Sequence, residues 1–185
     1  MKPKVCYAAF NRNYGPFGNS IAWVSLEWKY KLNPKEWWRL KEIPSHARIG
    51  FVLEDGRSVY LEAREFEKTG ISGPFLESKI EEWKLEDPRR WSRKYYLDLP
   101  LDSVEEMFDE ARDKVGKWKY SMSQNVAVWW HRLTGMSLPR TLERVNCSEF
   151  VSYILEPNLP IGWRREKRLD EITPYDLECF IIDQV

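Results

Sequence analysis

A cysteine at the start of a predicted helix is the residue of this sequence best suited to nucleophilic chemistry. Within residues 145–155, Asn146 can cap a helix, and Glu149 follows at the spacing of a capping box. That register puts Cys147 at the first helical position. The helix dipole and the unpaired amides there favour negative charge, and so favour the thiolate, which is the nucleophilic form. The same amides could bind an oxyanion.

The alternative interpretation of Cys147 is a buried side chain that packs like a small apolar residue. Phe150, Val151 and Ile154 recur at helical spacing and are expected to face a core. Pro157 is expected to stop the helix shortly afterwards. The local sequence therefore predicts a helix with one face in the core, and it leaves the reactivity of the thiol open.

A predicted β-hairpin supplies the second half of a candidate site. Residues 45–53 and 57–64 alternate as strands around a turn that contains Gly56. We prefer a three-residue loop with Gly56 in the left-handed region. That register pairs Phe51 with Val59 and makes one face of the hairpin wholly apolar, whereas a two-residue loop would mix apolar and charged side chains.

The preferred register brings a histidine and a glutamate to one face of the hairpin. His46 and Glu62 lie diagonally across the two strands, within reach of a long side chain. A carboxylate there can hold the imidazole in one tautomer and stabilise its charged form. The alternatives are Glu65 or a backbone carbonyl as the partner of His46, or an ordinary solvated polar face. The other histidine, His131, lies in an apolar helical run and better suits a packing or rim role.

The composition predicts one globular domain, residues 1–185. The chain has 185 residues and 43% hydrophobic content, enough for a full core. Lys and Arg total 29, as do Asp and Glu, and this zero net charge argues against nucleic-acid binding. Three widely spaced cysteines and two histidines show neither a disulfide framework nor the spacing of metal ligands, so we expect no cofactor or metal.

The hydropathy pattern indicates no membrane segment. No apolar run reaches transmembrane length, and the N-terminus lacks the apolar stretch of a signal peptide. We therefore expect a soluble, cytoplasmic protein, with export by another route left open. The sequence does not predict the oligomeric state.

The remaining segments predict an α+β domain, with an antiparallel sheet and helices packed on it. We expect strands over residues 5–10 and 94–99, and a final strand over residues 177–182 that contains Cys179. Residues 11–18 are expected to form a loop. Helices are expected over residues 20–30, capped by Asn19 or Ser20, and over residues 102–115 and 122–133.

A cysteine at a helix N-terminus, a histidine on a sheet and a polar third partner form the pattern of a thiol hydrolase. The histidine precedes the cysteine in this chain. That order, with the local sequences, resembles the circularly permuted NlpC-type branch of the papain-like thiol hydrolases, which includes YiiX-like and lecithin:retinol acyltransferase-like members. The matching stretches are PSHARIG at residues 44–50, YLEA at 60–63, GKWKY at 116–120, NCSEFV at 146–151 and ITPYDL at 172–177.

The resemblance implies a permuted papain-like fold and a set of site residues. Cys147 would be the nucleophile, His46 the general base and acid, and Glu62 the residue that orients His46. The backbone amide of Cys147 would contribute to an oxyanion hole. Tyr120 and Ser148 would lie in the substrate-binding cleft.

The resemblance also implies a reaction. We expect a cysteine hydrolase, amidase-like or peptidase-like, that forms a thioester with a small peptide, amide or acyl substrate. Ser148-Glu149 differs from the Glu-His pair of the acyltransferase-like members, which favours the YiiX-like hydrolases. One alternative is a lipid acyl hydrolase or acyltransferase that uses the same three residues. The other is a non-catalytic binding or structural module that keeps the fold.

Overall fold

An antiparallel sheet with helices packed on it forms the described part of the chain. The computed structural model describes residues 2–13, 15–26, 31–62, 92–114, 118–120, 122–138, 144–158 and 172–183. The four strands of the sheet, in the order β3-β2-β1-β4, are β1 (Pro3–Asn11), β2 (His46–Leu53), β3 (Ser58–Leu61) and β4 (Ser92–Leu97). The predicted α+β class is therefore confirmed.

The helices lie between and after these strands. They are α1 (Pro16–Ser25), α2 (Leu101–Asp113), α3 (Met122–Thr134), α4 (Cys147–Leu155) and α5 (Pro174–Ile182). Short 3₁₀ segments cover Pro34–Lys41 and Glu156–Asn158, and a small parallel ladder joins β5 (Lys119–Tyr120) to β6 (Arg144–Val145). None of the described helices is long and apolar enough to cross a membrane.

The hairpin formed by β2 and β3 has the predicted register. The Leu53 N–H donates to the Arg57 carbonyl at 2.8 Å, and Phe51 pairs with Val59. Gly56 has a φ of +80°, a conformation that glycine adopts without a steric penalty. The face that the sequence predicts to be apolar is buried along its described length, at Ala47, Ile49, Phe51, Leu53, Val59 and Leu61.

The core lies where α2 packs on β1 and α4 packs on β2. On α2 the buried side chains recur at helical spacing, at Val104, Met107, Phe108 and Ala111. The rings of Phe51 and Phe108 meet edge to face with their centroids 5.1 Å apart. Burial of each such side chain contributes roughly 1.5–3 kcal/mol, so this contact holds the sheet and α2 together.

Helix α1 begins earlier than the sequence predicts. It starts at Pro16 with Gly15 as the N-cap, so the predicted caps are wrong. The predicted loop over residues 11–18 is too long at both ends, since Asn11 belongs to β1 and residues 16–18 to α1. The fixed φ of proline suits the first turn of a helix, although the flanking glycines suggested a loop. Gly18 lies inside the helix, where a Cβ would be 2.2 Å from the Asn13 carbonyl oxygen, so the close approach of the two backbones requires glycine.

The last element is a helix, and the predicted final strand is wrong. Thr173 Oγ1 accepts from the Asp176 N–H at 3.2 Å, and Asp176 Oδ2 accepts from the Thr173 N–H at 3.0 Å. This capping box and Pro174 at the first position start α5. Leu177 and Ile181, four residues apart, are buried on one helix face. The apolar residues therefore follow a helical period rather than that of a strand.

The other predicted elements occur with small shifts. Strand β1 begins at Pro3 and extends to Asn11, and β4 covers Ser92–Leu97 rather than residues 94–99. Helix α3 ends at Thr134, one residue later than predicted. Parts of some predicted elements lie outside the described residues. They are the end of the first predicted helix (27–30), the end of the second hairpin strand with the alternative partner Glu65 (63–65), and the end of the predicted helix over residues 102–115 with the residue after it (115–116).

Candidate active site

Helix α4 begins at the cysteine, as the sequence predicts. Asn146 Oδ1 accepts from the Glu149 N–H at 2.8 Å, and the Glu149 carboxylate accepts from the Asn146 N–H at 3.4 Å. These two bonds complete the predicted capping box and fix Cys147 at the first helical position. The exposed fraction of Cys147 is 2%, so the thiol lies in a nearly enclosed setting.

Ser148 ties the start of α4 to the segment that precedes α5. Its Oγ lies 2.7 Å from the Ile172 carbonyl oxygen and 2.9 Å from Asn146 Oδ1. The residue is buried, so these bonds form away from bulk water and hold the first turn firmly. A role for Ser148 in substrate binding remains a prediction.

The hairpin positions the imidazole and its carboxylate. His46 is the first residue of β2, and Glu62 directly follows β3. His46 Nε2 lies 2.8 Å from Glu62 Oε2, which is the diagonal contact that the predicted register requires. The side chains of His46 and Glu62 are 14% and 6% exposed, so this face is not the solvated polar surface of the alternative interpretation. Because Nε2 faces Glu62, Nδ1 is the ring nitrogen left for another partner.

Cys147 is that other partner of His46. Burial lowers the pKa of His46, but the charge of Cys147 and its hydrogen bond to the ring raise it, and the hydrogen bond and charge of Glu62 raise it further. The net effect raises the pKa of His46 to about 9. The imidazole is therefore protonated at neutral pH, which is the charge state that stabilises a neighbouring thiolate.

Three of the five predicted site residues thus come together. The side chains of Glu62, His46 and Cys147 form a continuous row, although they lie on a loop, a strand and a helix. Tyr120 pairs in β5 with Val145, so its backbone runs beside the chain that enters α4. A role for Tyr120 in the substrate cleft remains a prediction, as do the catalytic roles of the other residues.

The remaining cysteines and the second histidine have different surroundings. Cys6 is fully buried, and burial raises the pKa of its thiol. Cys179 is exposed on α5, where partial burial and nearby carboxylates raise the pKa of its thiol. His131 Nδ1 lies 3.4 Å from Ser137 Oγ near the end of α3. Of the three cysteines, Cys147 is the one whose side chain interacts with His46.

Asn11 is a neighbour of the site that the sequence analysis missed. We expected it in a loop, but it is the last residue of β1 and the direct partner of His46 across the strands. Side chains of directly opposite residues lie about 4.5–5.5 Å apart at Cβ. Asn11 is 9% exposed and flanks His46 on the side away from β3. Nothing in the local sequence signals this position, since it depends on the pairing of β1 with β2.

The described residues contain no group of three or more His, Cys, Asp or Glu side chains arranged to hold a metal ion.

Comparison of the chain with protein families, with curated proteins and with solved structures finds no match in any of the three. The relation to permuted NlpC-type hydrolases therefore remains a resemblance that rests on the sequence stretches quoted above.

Proposed function

We propose that this chain is a thiol hydrolase with a permuted papain-like fold, and that Cys147 attacks the carbonyl carbon of an amide or peptide. The observation that supports it most directly is the row formed by Glu62, His46 and Cys147. Removal of an imidazole and a carboxylate from water costs free energy. A role in catalysis accounts for this cost, whereas a packing role does not require any of these polar groups.

The first half of the reaction forms an acyl-enzyme. The Cys147 thiolate bonds to the carbonyl carbon, and the π-electron pair moves to the oxygen. In this proposal the backbone amide of Cys147, at the first position of α4, donates to that oxygen. His46 then donates its proton to the leaving nitrogen as the C–N bond breaks. The products are a thioester on Cys147 and a free amine.

The second half releases the acyl group to water. Neutral His46 accepts a proton from the attacking water, whose oxygen bonds to the thioester carbon. The C–S bond then breaks, a carboxylic acid leaves, and the thiolate and imidazolium are restored. Glu62 accepts from the Nε2–H throughout, so it acts as a positioning residue that keeps Nδ1 directed at the thiol.

The test of this proposal is the alkylation rate of each cysteine by iodoacetamide, followed by peptide mass spectrometry. We expect Cys147 to react at least about tenfold faster than Cys6 and Cys179 at a pH of about 7, because His46 stabilises its thiolate. His46→Ala should abolish this difference. His131→Ala, which changes the other histidine, should leave it intact.

The same experiment separates the proposed enzyme from a non-catalytic module. Incubation with activated esters and amides should leave an acyl group on Cys147 that is absent from the His46→Ala protein. If Cys147 reacts no faster than buried Cys6 and carries no acyl group, the catalytic function is wrong and the fold serves binding or assembly.

A further inference from the structure

Two adjacent tryptophans are exposed on the 3₁₀ segment Pro34–Lys41, which precedes β2. The structure describes all eight residues of this segment, and none of them is buried. Trp37 and Trp38 are 46% and 51% exposed, and Leu32, just before the segment, is 77% exposed. Large apolar side chains that are exposed as a group, rather than singly, mark surfaces that bind a partner.

Hydrogen bonds hold this segment against the rest of the domain. The Trp37 Nε1–H donates to the Lys31 carbonyl at 3.2 Å, and the Arg12 Nε–H donates to the Leu40 carbonyl at 2.8 Å. Because the indole N–H of Trp37 already has a partner within the chain, its ring can leave water without leaving a polar group unpaired. The segment therefore presents its rings from a fixed position.

The charge of the segment is positive. Of the charged residues from Lys31 to Glu42, four are basic and two are acidic. Lys35 and Lys41 are exposed near the two ends of the segment. Arg39 Nε lies 2.8 Å from Glu36 Oε2, so Arg39 offsets that carboxylate. The exposed charge beside the rings complements an anionic partner.

This combination of side chains fits a lipid bilayer better than a protein. Lysine is depleted at protein–protein interfaces, whereas here basic residues flank both rings. Tryptophan is enriched where the acyl chains of a bilayer meet its headgroups, and lysine and arginine bind anionic headgroups at the same level. A lysine beside an inserted ring keeps its ammonium among the headgroups while its carbon chain lies against apolar groups.

We infer that Pro34–Lys41 docks the protein on an anionic lipid bilayer. Trp37 and Trp38 insert at the level of the headgroups, and Lys35 and Lys41 contact anionic lipids. The attachment is peripheral and reversible, because two rings and a few charges bury far less apolar surface than a membrane-spanning helix does. Docking goes beyond the proposed hydrolase and does not depend on the chemistry at Cys147.

The test is sedimentation of the full chain with vesicles of phosphatidylcholine, alone or with about one third phosphatidylserine. Wild type should bind the anionic vesicles at least about tenfold more tightly than the neutral ones, and added salt should weaken this binding. Lys35→Ala with Lys41→Ala should weaken it about 25-fold, at roughly a factor of five for each basic residue near the surface. Lys2→Ala with Lys4→Ala is the matched control, because these exposed lysines lie at the end of β1 away from Arg12.

The tryptophans are tested in the same way. Trp37→Ala with Trp38→Ala should lower binding to anionic vesicles at least about tenfold. Trp130→Ala, which removes a ring that is 43% exposed on α3, is the matched control. Trp130 lies about 200° around the helix from Val128, which faces α1, and so points away from the segment that packs on α1. Thermal unfolding of each variant shows whether it is folded.

A second measurement does not depend on how tightly a variant binds. Lipids with brominated acyl chains should quench the tryptophan fluorescence of wild type. Trp37→Phe with Trp38→Phe keeps two apolar rings, so it should still sediment with the vesicles but lose most of that quenching. Unchanged quenching in this variant would show that other tryptophans contact the bilayer, and would overturn the inference.

The inference also falls if wild type binds neither kind of vesicle, or if the lysine and tryptophan variants bind as tightly as their controls. A dimer in solution that dissociates in Trp37→Ala with Trp38→Ala would make the segment a subunit interface, and would likewise overturn docking. Fast alkylation of Cys147 should persist in all these variants, so failure of docking leaves the proposed hydrolase intact.

Discussion

The contact between His46 and Glu62 decides which ring nitrogen is available for chemistry. Nε2 lies 2.8 Å from the carboxylate, so Nδ1 is left for Cys147. The charge of Glu62 and its hydrogen bond also raise the pKa of His46, in addition to the larger contribution of Cys147. The carboxylate therefore orients the imidazole and adds to the rise in the pKa of His46.

Glu62→Gln tests this role because the amide keeps a hydrogen-bond acceptor and removes the charge. The pKa of His46 is raised to about 9, so a reaction that needs protonated His46 should decline above that pH in wild type. In Glu62→Gln the decline should begin at lower pH, and kcat/KM at a pH of about 7 should fall roughly tenfold or more.

The measurement is the pH dependence of kcat/KM for the best ester or amide found. Glu54→Gln is the control, because Glu54 is an exposed residue in the turn of the same hairpin. If kcat/KM declines at the same high pH in Glu62→Gln as in wild type, the carboxylate does not raise the pKa of His46.

Among the elements, the first turn of α4 carries both stability and the proposed chemistry. Asn146 Oδ1 accepts from the Glu149 N–H and lies 2.9 Å from Ser148 Oγ. All three residues are buried, so no bulk water replaces a lost bond. The capping box therefore fixes Cys147 at the first position of α4.

Asn146→Ala removes this cap and leaves a buried N–H without its acceptor. We expect a loss of about 1–2 kcal/mol in the free energy of unfolding, measured by urea denaturation. Asn33→Ala is the matched control, since Asn33 caps the Pro34–Lys41 segment through an exposed bond of 3.2 Å to the Lys35 N–H. If Asn146→Ala lowers the free energy of unfolding no more than Asn33→Ala does, the buried cap of α4 contributes no more to stability than an exposed cap.

For the whole molecule, the proton on His46 links folding to pH. The pKa of His46 is raised from 6.5 to about 9 in the folded protein. A raised pKa means that the folded state binds the proton more tightly than the unfolded state. The resulting stability is fully present below a pH of about 6.5 and is lost as the pH rises through about 9.

Wild type should therefore lose stability relative to His46→Gln over this pH range, by at most about 3.5 kcal/mol at roughly 1.4 kcal/mol per pKa unit. The measurement is urea unfolding of both proteins at a series of pH values. His131→Gln, which changes the other histidine, is the control. Cys147→Ser removes the larger contribution to the raised pKa, so its stability should depend less on pH. Parallel curves for wild type and His46→Gln would contradict the linkage.

Features that depend on short-range interactions can be predicted from the local sequence. The capping box between Asn146 and Glu149 spans three residues, and Gly56 sets the hairpin register that brings Glu62 to His46. Both follow from hydrogen bonds and backbone conformations available within one turn of chain. A capping box at Thr173 and Asp176 also starts α5, although we predict a strand there from the apolar residues that follow.

The contacts between distant segments depend on tertiary packing. His46 and Cys147 are about 100 residues apart in the chain, and their contact requires α4 to pack on β2. Asn11 lies opposite His46 because β1 pairs with β2. Hydrophobic periodicity predicts which face of each element is buried, but it does not specify the partner that buries it. That choice depends on the packing of all the elements together.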